Sequence, residues 1–140
     1  MPRHIRVREL MSTDLVTLTE EDTLAHAERC MAQGRIRHLP VVRAGRLVGL
    51  VTHRDLLSAS FSIFAEVETG EQRRVFVTVP VVDLMHPSVV TVGPDVPVAE
   101  AARMLLENKF GCLPVVTEEG VLIGILTEAD FLRLTVRLLP

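Results

Sequence analysis

The chain has 140 residues, enough for one ordinary core built from two halves, and 48% of them are hydrophobic. A net charge of −3 and a pI near 5.9 supply no basic footprint for nucleic acid. No apolar run is long enough to cross a bilayer and no signal-peptide pattern opens the chain, so the expectation is a cytoplasmic protein with no membrane partner.

The elements follow in chain order. Residues 1–10 are a charged lead-in ending in a helical turn through Val7–Met11. Leu15–Leu18 reads as a short strand. Thr19-Glu-Glu-Asp-Thr23 suits a helix start, and Leu24, Ala27, Glu28 and Met31 continue at helical spacing to Gly34, placed to end the helix in a left-handed cap. Leu39–Arg43 and Leu47–Val51 flank Ala44-Gly45, a hairpin signal. A second helix starts near Thr52 or His53 and extends through Ser58–Ala65. Glu66–Arg74 reads as a mobile polar turn and Val75–Val79 as an extended arm. Phe61, Phe64 and Phe76 are expected to cover the core or a partner surface, packing on core or arm being the first choice. Val89–Val92 is then a strand, Val98–Asn108 a helix, Leu113–Thr117 and Leu122–Leu126 a hairpin, and the last helix starts near Glu128.

This order is one unit said twice. Met11-Ser-Thr-Asp-Leu-Val-Thr-Leu18 is answered by Met85-His-Pro-Ser-Val-Val-Thr-Val92, Leu39-Pro-Val-Val42 by Leu113-Pro-Val-Val116, and Gly49-Leu-Val-Thr-His-Arg-Asp55 by Gly124-Ile-Leu-Thr-Glu-Ala-Asp130. A repeat of this length is a whole supersecondary unit. The fold expected is α/β (α+β): two pseudo-twofold-related β-α-β-β-α repeats packed sheet to sheet. Along the chain the division is 1–60 for repeat one with its lead-in, 61–80 for a linker and 81–140 for repeat two.

Each repeat ends in Gly-aliphatic-aliphatic-Thr-x-x-Asp at a strand-to-helix junction. Locally this is a relative of the capping box, the carboxylate reaching back to free amides. The same helix start is a receptor for anions and hydroxyls, and a glycine in the preceding strand admits a close approach to the backbone.

With these motifs recurring in order, both halves resemble cystathionine-β-synthase (CBS) domains, and the pair resembles a Bateman module without a fused catalytic domain. The resemblance covers residues 11–57 and 85–132. It implies regulatory binding of adenosyl ligands, an adenine nucleotide (AMP, ADP or ATP) foremost, in mixed clefts between the repeats. One cleft would join Ile125, Thr127 and Asp130 with Val16, Ile36, Arg37 and His38. Thr127 and Asp130 would hold ribose and phosphate oxygens, Val16 would meet the base through its backbone, Ile36 and Ile125 would sandwich it, and Arg37 would meet phosphate. The other would join Leu50, Thr52 and Asp55 with Val90, Phe110, Gly111 and Cys112, His53 and Arg54 lending positive charge. Arg37-His38 becomes Gly111-Cys112 in the second repeat, so the Asp130 cleft is the first choice for a phosphorylated ligand.

No catalytic residue, metal site or required cofactor is expected. The five histidines show no His-x-x-x-His spacing and the two cysteines no Cys-x-x-Cys spacing, and no nucleophile has an oriented base. Cys30 and Cys112 fall at non-equivalent places and suggest thiols, not a disulfide. The expected function is a regulatory module, not an enzyme, that binds an adenosyl ligand and signals to an unknown partner protein. It is expected as a homodimer through segments near Leu24–Met31, Val98–Leu106 and Phe131–Leu139. The alternatives are a dimerisation scaffold with vestigial clefts and a redox or metal switch at Cys112.

Overall fold

The structure, a computed structural model, describes residues 4–140. Val16–Val89 form one unit, and residues 4–15 with Val90–Pro140 form the other. They are called here the central and the terminal unit, from their places along the chain. The division at 1–60, 61–80 and 81–140 therefore follows the sequence, whereas in space residues 4–15 group with residues 90–140.

In the central unit, α2 (Leu24–Gly34) is capped by Thr23, whose side chain accepts from the His26 amide at 3.3 Å. Its apolar stripe, Leu24, Ala27 and Met31, is buried. Gly34 lies inside the helix, and the left-handed position falls on Arg35, φ 51°. Strands β1 (His38–Arg43) and β2 (Arg46–Thr52) pair antiparallel across Ala44-Gly45, both at positive φ, the geometry of a tight two-residue hairpin. The strand expected at Leu15–Leu18 reduces to a single parallel bridge, Leu18 with Val41. The Leu18 amide donates to the Pro40 carbonyl at 2.9 Å, while Val16 and Thr17 stay exposed.

Thr52 caps α3 (His53–Glu66), which takes in the anticipated extension past Leu57. The expected arm Val75–Val79 is instead the end of a helix, α4 (Gln72–Thr78). Its packing against α2 and α3, with Phe76 and Val79 on the core, overrides the extended preference of its valines. Phe61 and Phe64 do not join them; both point to solvent, 72% and 67% exposed. A short 3₁₀ turn, Val81–Asp83, then leads to His86, which exchanges two backbone hydrogen bonds with Leu50, at 2.9 and 3.0 Å. The core is aliphatic: Leu18, Leu24, Ala27, Met31, Leu39, Val41, Val51, Leu56 and Val81.

The terminal unit repeats this plan. Helix α1 (Val7–Leu10) corresponds to the 3₁₀ turn, and Val7, like Val81, is fully buried. Helix α5 (Val98–Asn108) ends at Lys109, again left-handed at φ 55°. Strands β3 (Cys112–Val116) and β4 (Leu122–Thr127) pair antiparallel, and Val92 bridges to Val115 in place of the expected strand Val89–Val92. Ser12 exchanges backbone hydrogen bonds with Ile125, the counterpart of Leu50. Helix α6 (Glu128–Leu138) closes the unit over Val7, Val92, Ala101, Leu105, Leu113, Val115 and Leu126.

Candidate functional site

The two Thr-x-x-Asp motifs begin α3 and α6, and both form capping boxes. Asp55 Oδ2 accepts from the Thr52 amide at 2.8 Å, and Thr52 Oγ1 accepts from the Asp55 amide at 3.2 Å. Asp130 Oδ2 accepts from the Thr127 amide at 2.9 Å. One carboxylate oxygen is thus committed to the helix start in each case, which leaves Oδ1 for other work.

That second oxygen is taken by residues the sequence reading did not single out. Asp130 Oδ1 accepts from Ser12 Oγ and from Arg133 Nη1, both at 2.9 Å. Asp55 Oδ1 lies 2.9 Å from His86 Nε2, and a carboxylate only accepts, so the imidazole donates. Asp130 is 3% exposed, and three donors meet the cost of burying its charge. Ser12 and His86 each follow a repeat methionine, so the offset already aligned them. Their link to the aspartates was hidden because each comes from the other repeat of the sequence.

The motif glycines have a packing reason as well. A Cβ on Gly49 would run into Met85 and one on Gly124 into Met11, so the methionine opening each repeat lies directly on a glycine of β2 or β4.

The remaining site residues fall as follows. In the central unit, His38 pairs with Thr52 across β1 and β2, and the His53 amide donates to the Arg37 carbonyl at 2.8 Å. Ile36, Arg37 and His53 line an open cavity of about 380 Å³ floored by Met31 and Leu56, with Glu28 and Arg35 also on its wall. Leu50 is half-buried, Arg54 is exposed and Val16 is 41% exposed. In the terminal unit, Cys112 pairs with Thr127, Phe110 packs on the core and Gly111 is exposed. Ile125 is half-buried beside Pro114 and Ser12, and Val90 is 45% exposed.

Burial pushes the Cys112 thiol up to about 12, which disfavours the thiolate a redox switch would need. Cys30 and Cys112 are both free. Among the described residues no group of three or more His, Cys, Asp or Glu side chains is arranged to hold a metal ion, and no helix is long and apolar enough to cross a membrane.

Two copies of one unit, each with a carboxylate capping the helix that follows a glycine-bearing strand, define a tandem repeat module. The CBS domain family model matches residues 7–62 and again 81–137, and the chain belongs to that family. Both matches begin at the buried valines Val7 and Val81, four residues upstream of the repeat methionines.

Solved structures agree. A protein named for acetoin utilization (AcuB) from Vibrio cholerae is 36% identical with TM-score 0.84, over 98% of this chain and 94% of that one. CBSX2 of Arabidopsis thaliana, solved with AMP, is 32% identical with TM-score 0.79, over 94% and 96%. The CBS domain pair of MJ0100, solved with 5′-methylthioadenosine and S-adenosylmethionine, is 25% identical with TM-score 0.76, over 94% and 99%. The chain spans 43% of the length of a curated relative from Thermofilum pendens, and 23% of an inosine-5′-monophosphate dehydrogenase from Korarchaeum cryptofilum.

Proposed function

We propose that this CBS pair is a regulatory module that senses an adenine nucleotide (AMP, ADP or ATP) in clefts between its repeats and signals to a partner protein in the cytoplasm. The observation that carries the reading is the pair of Thr-x-x-Asp helix starts, Thr52/Asp55 and Thr127/Asp130, each with a carboxylate set among hydrogen-bond donors where sugar hydroxyls can be received. Two relatives, CBSX2 and the MJ0100 pair, carry adenosyl ligands and support the ligand class.

In this reading one cleft draws on Val16, Ile36, Arg37, His38, Ile125, Thr127 and Asp130, and the other on Leu50, Thr52, Arg54, Asp55, Val90, Phe110, Gly111 and Cys112. Arg37 favours the first for a phosphorylated ligand. A hydroxyl reaching Asp130 must share or displace its bond to Arg133, whose side chain is 67% exposed and free to turn toward phosphate. A ligand wedged in one cleft stabilises one arrangement of the repeats, and a partner reads that arrangement.

Thermal unfolding with AMP, ATP and S-adenosylmethionine tests this. A ligand at about 100 times its dissociation constant adds about 2.7 kcal/mol. Asp130→Ala should weaken nucleotide binding more than Asp55→Ala, measured by calorimetric titration of folded variants. Unchanged melting with every ligand would leave the second reading, a dimerisation scaffold. That reading is supported by the exposed apolar residues Phe61 and Phe64 on α3 and Leu132 and Val136 on α6.

A further inference from the structure

The cavity of about 380 Å³ in the central unit is lined by α2, by α3 and by the segment between α2 and β1. Its size is that of a small-molecule site. Met31, Ile36 and Leu56 give it an apolar surface, and neither Thr52 nor Asp55 lines it. It is therefore separate from the carboxylate at the start of α3. Its rim is charged unevenly. Arg35 and Arg37 flank Ile36, and the Arg37 carbonyl accepts from the His53 amide at 2.8 Å, which sets His53 beside them. Both arginines are exposed, and neither guanidinium has a hydrogen-bond or ion-pair partner among the described residues. Glu28 stands seven residues before Arg35, about 10 Å along the axis of α2. One end of the cavity is thus cationic and the other acidic. The second copy of the unit is built differently at the same places. Phe110 and Phe131 replace Ile36 and Leu56 and pack on the core, Gly111 replaces Arg37, and Glu128 replaces His53. The repeat plan itself therefore requires neither the open volume nor its charge.

We propose that the cavity between α2 and α3 is a second binding site, for a small amphipathic monoanion of the medium-chain carboxylate class. The aliphatic body lies on Met31, Ile36 and Leu56, where it is taken out of water. The carboxylate is held by Arg35 and Arg37, whose planar forks match its two oxygens. Glu28 repels a second carboxylate at the far end, so a dicarboxylate of the same length is rejected. Ile36 and Arg37 also belong to the nucleotide reading, but the cavity offers no carboxylate beside its cations to receive sugar hydroxyls. The occupant is therefore a different chemical class, and the site does not depend on nucleotide sensing.

Octanoate is the probe, titrated into the full chain by calorimetry. Octylammonium keeps the body and reverses the charge, acetate keeps the charge and lacks the body, and octanedioate adds the second carboxylate. Octanoate should bind, and each of the other three should bind at least about tenfold more weakly, the scale of one charged hydrogen bond. Arg35→Gly with Arg37→Gln should cost octanoate at least about tenfold; glycine suits the left-handed backbone of Arg35. Ile36→Phe with Leu56→Phe brings in the side chains of the other unit and should abolish binding. Leu56 is buried, so if that pair does not fold, the arginine pair decides. Undiminished binding in the arginine pair overturns the inference, and so does equal binding of octanoate and octylammonium. Loss of octanoate binding in Phe61→Ser with Phe64→Ser overturns it too, because the exposed row on α3 would then be the receptor. A chain that binds AMP but not octanoate overturns this inference and leaves nucleotide sensing standing. A chain that binds octanoate and no nucleotide supports this inference and takes down the sensing reading alone.

Discussion

Asp130 is the charged side chain that the described residues bury, and its oxygens show what a local motif does and does not reveal. The capping bond to Thr127 spans three residues and follows from spacing alone. The Ser12 bond spans 118 residues, and no periodicity points to it. Cys112, two positions from Pro114 in its strand, is a second case of context deciding chemistry. Its thiol is pushed from an ordinary 9.0 up to about 12 by burial. Between those values the unfolded chain has lost this proton while the folded chain keeps it. The contribution is fully present below 9 and is lost as pH rises through the window, with a slope of at most about 1.4 kcal/mol per pH unit. Urea unfolding at about pH 8 and about pH 10.5 should show wild type losing more stability than Cys112→Ala. Equal losses in the two chains would mean that the thiol ionises in the folded protein as it does in water.

At the scale of elements, helices with an apolar stripe and a strong stop were legible. Val98–Asn108 was bounded correctly because Pro97 precedes it and Ala101, Ala102 and Leu105 keep one face. The left-handed caps were not, since Arg35 and Lys109 occupy a conformation that glycine ordinarily takes. Neither was α4, whose valines prefer extended backbone until Phe76 finds the core. The first strand of each repeat was overcalled because an apolar-rich stretch resembles a ladder even where one residue makes the pairing.

The contact of β4 with the segment after α1 offers a direct test of the packing that sets the Asp130 half. A methyl group on Gly124 would meet Met11 Sδ and come within 2.9 Å of Met11 Cγ. Gly124→Ala should therefore destabilise by about 1–3 kcal/mol, the usual cost of overpacking. The obstructing atoms belong to one side chain, so adding Met11→Ala should recover part of that loss. A double-mutant cycle by denaturant unfolding should return a coupling above about 0.5 kcal/mol. Strict additivity would show that the strand accommodates the methyl by moving away from Met11.

At the scale of the whole molecule, the sequence reading expects a homodimer through segments near Leu24–Met31, Val98–Leu106 and Phe131–Leu139, and the exposed apolar residues add a further candidate surface. Leu24, Ala27 and Met31 are buried in the core of their own unit, so any contact by that helix would use its polar face. Helix α3 offers an apolar one. Leu57, Phe61 and Phe64 follow at spacings of four and three, lie on one helical face, and are 48%, 72% and 67% exposed. On α6, Leu132 and Val136 repeat the arrangement at 67% and 76%. Large apolar side chains in rows of this kind mark a surface that another molecule covers. The protein should be a homodimer by light scattering at micromolar concentration, and Phe61→Ser with Phe64→Ser should shift it to monomer. Because both phenylalanines face solvent within one protomer, their loss should leave the protomer's own stability nearly untouched. The melting temperature of wild type should rise with protein concentration, and that of the double variant should not. A wild-type monomer at these concentrations would refute the dimer. A double variant that unfolds early at every concentration would instead place the phenylalanines in the fold of the protomer.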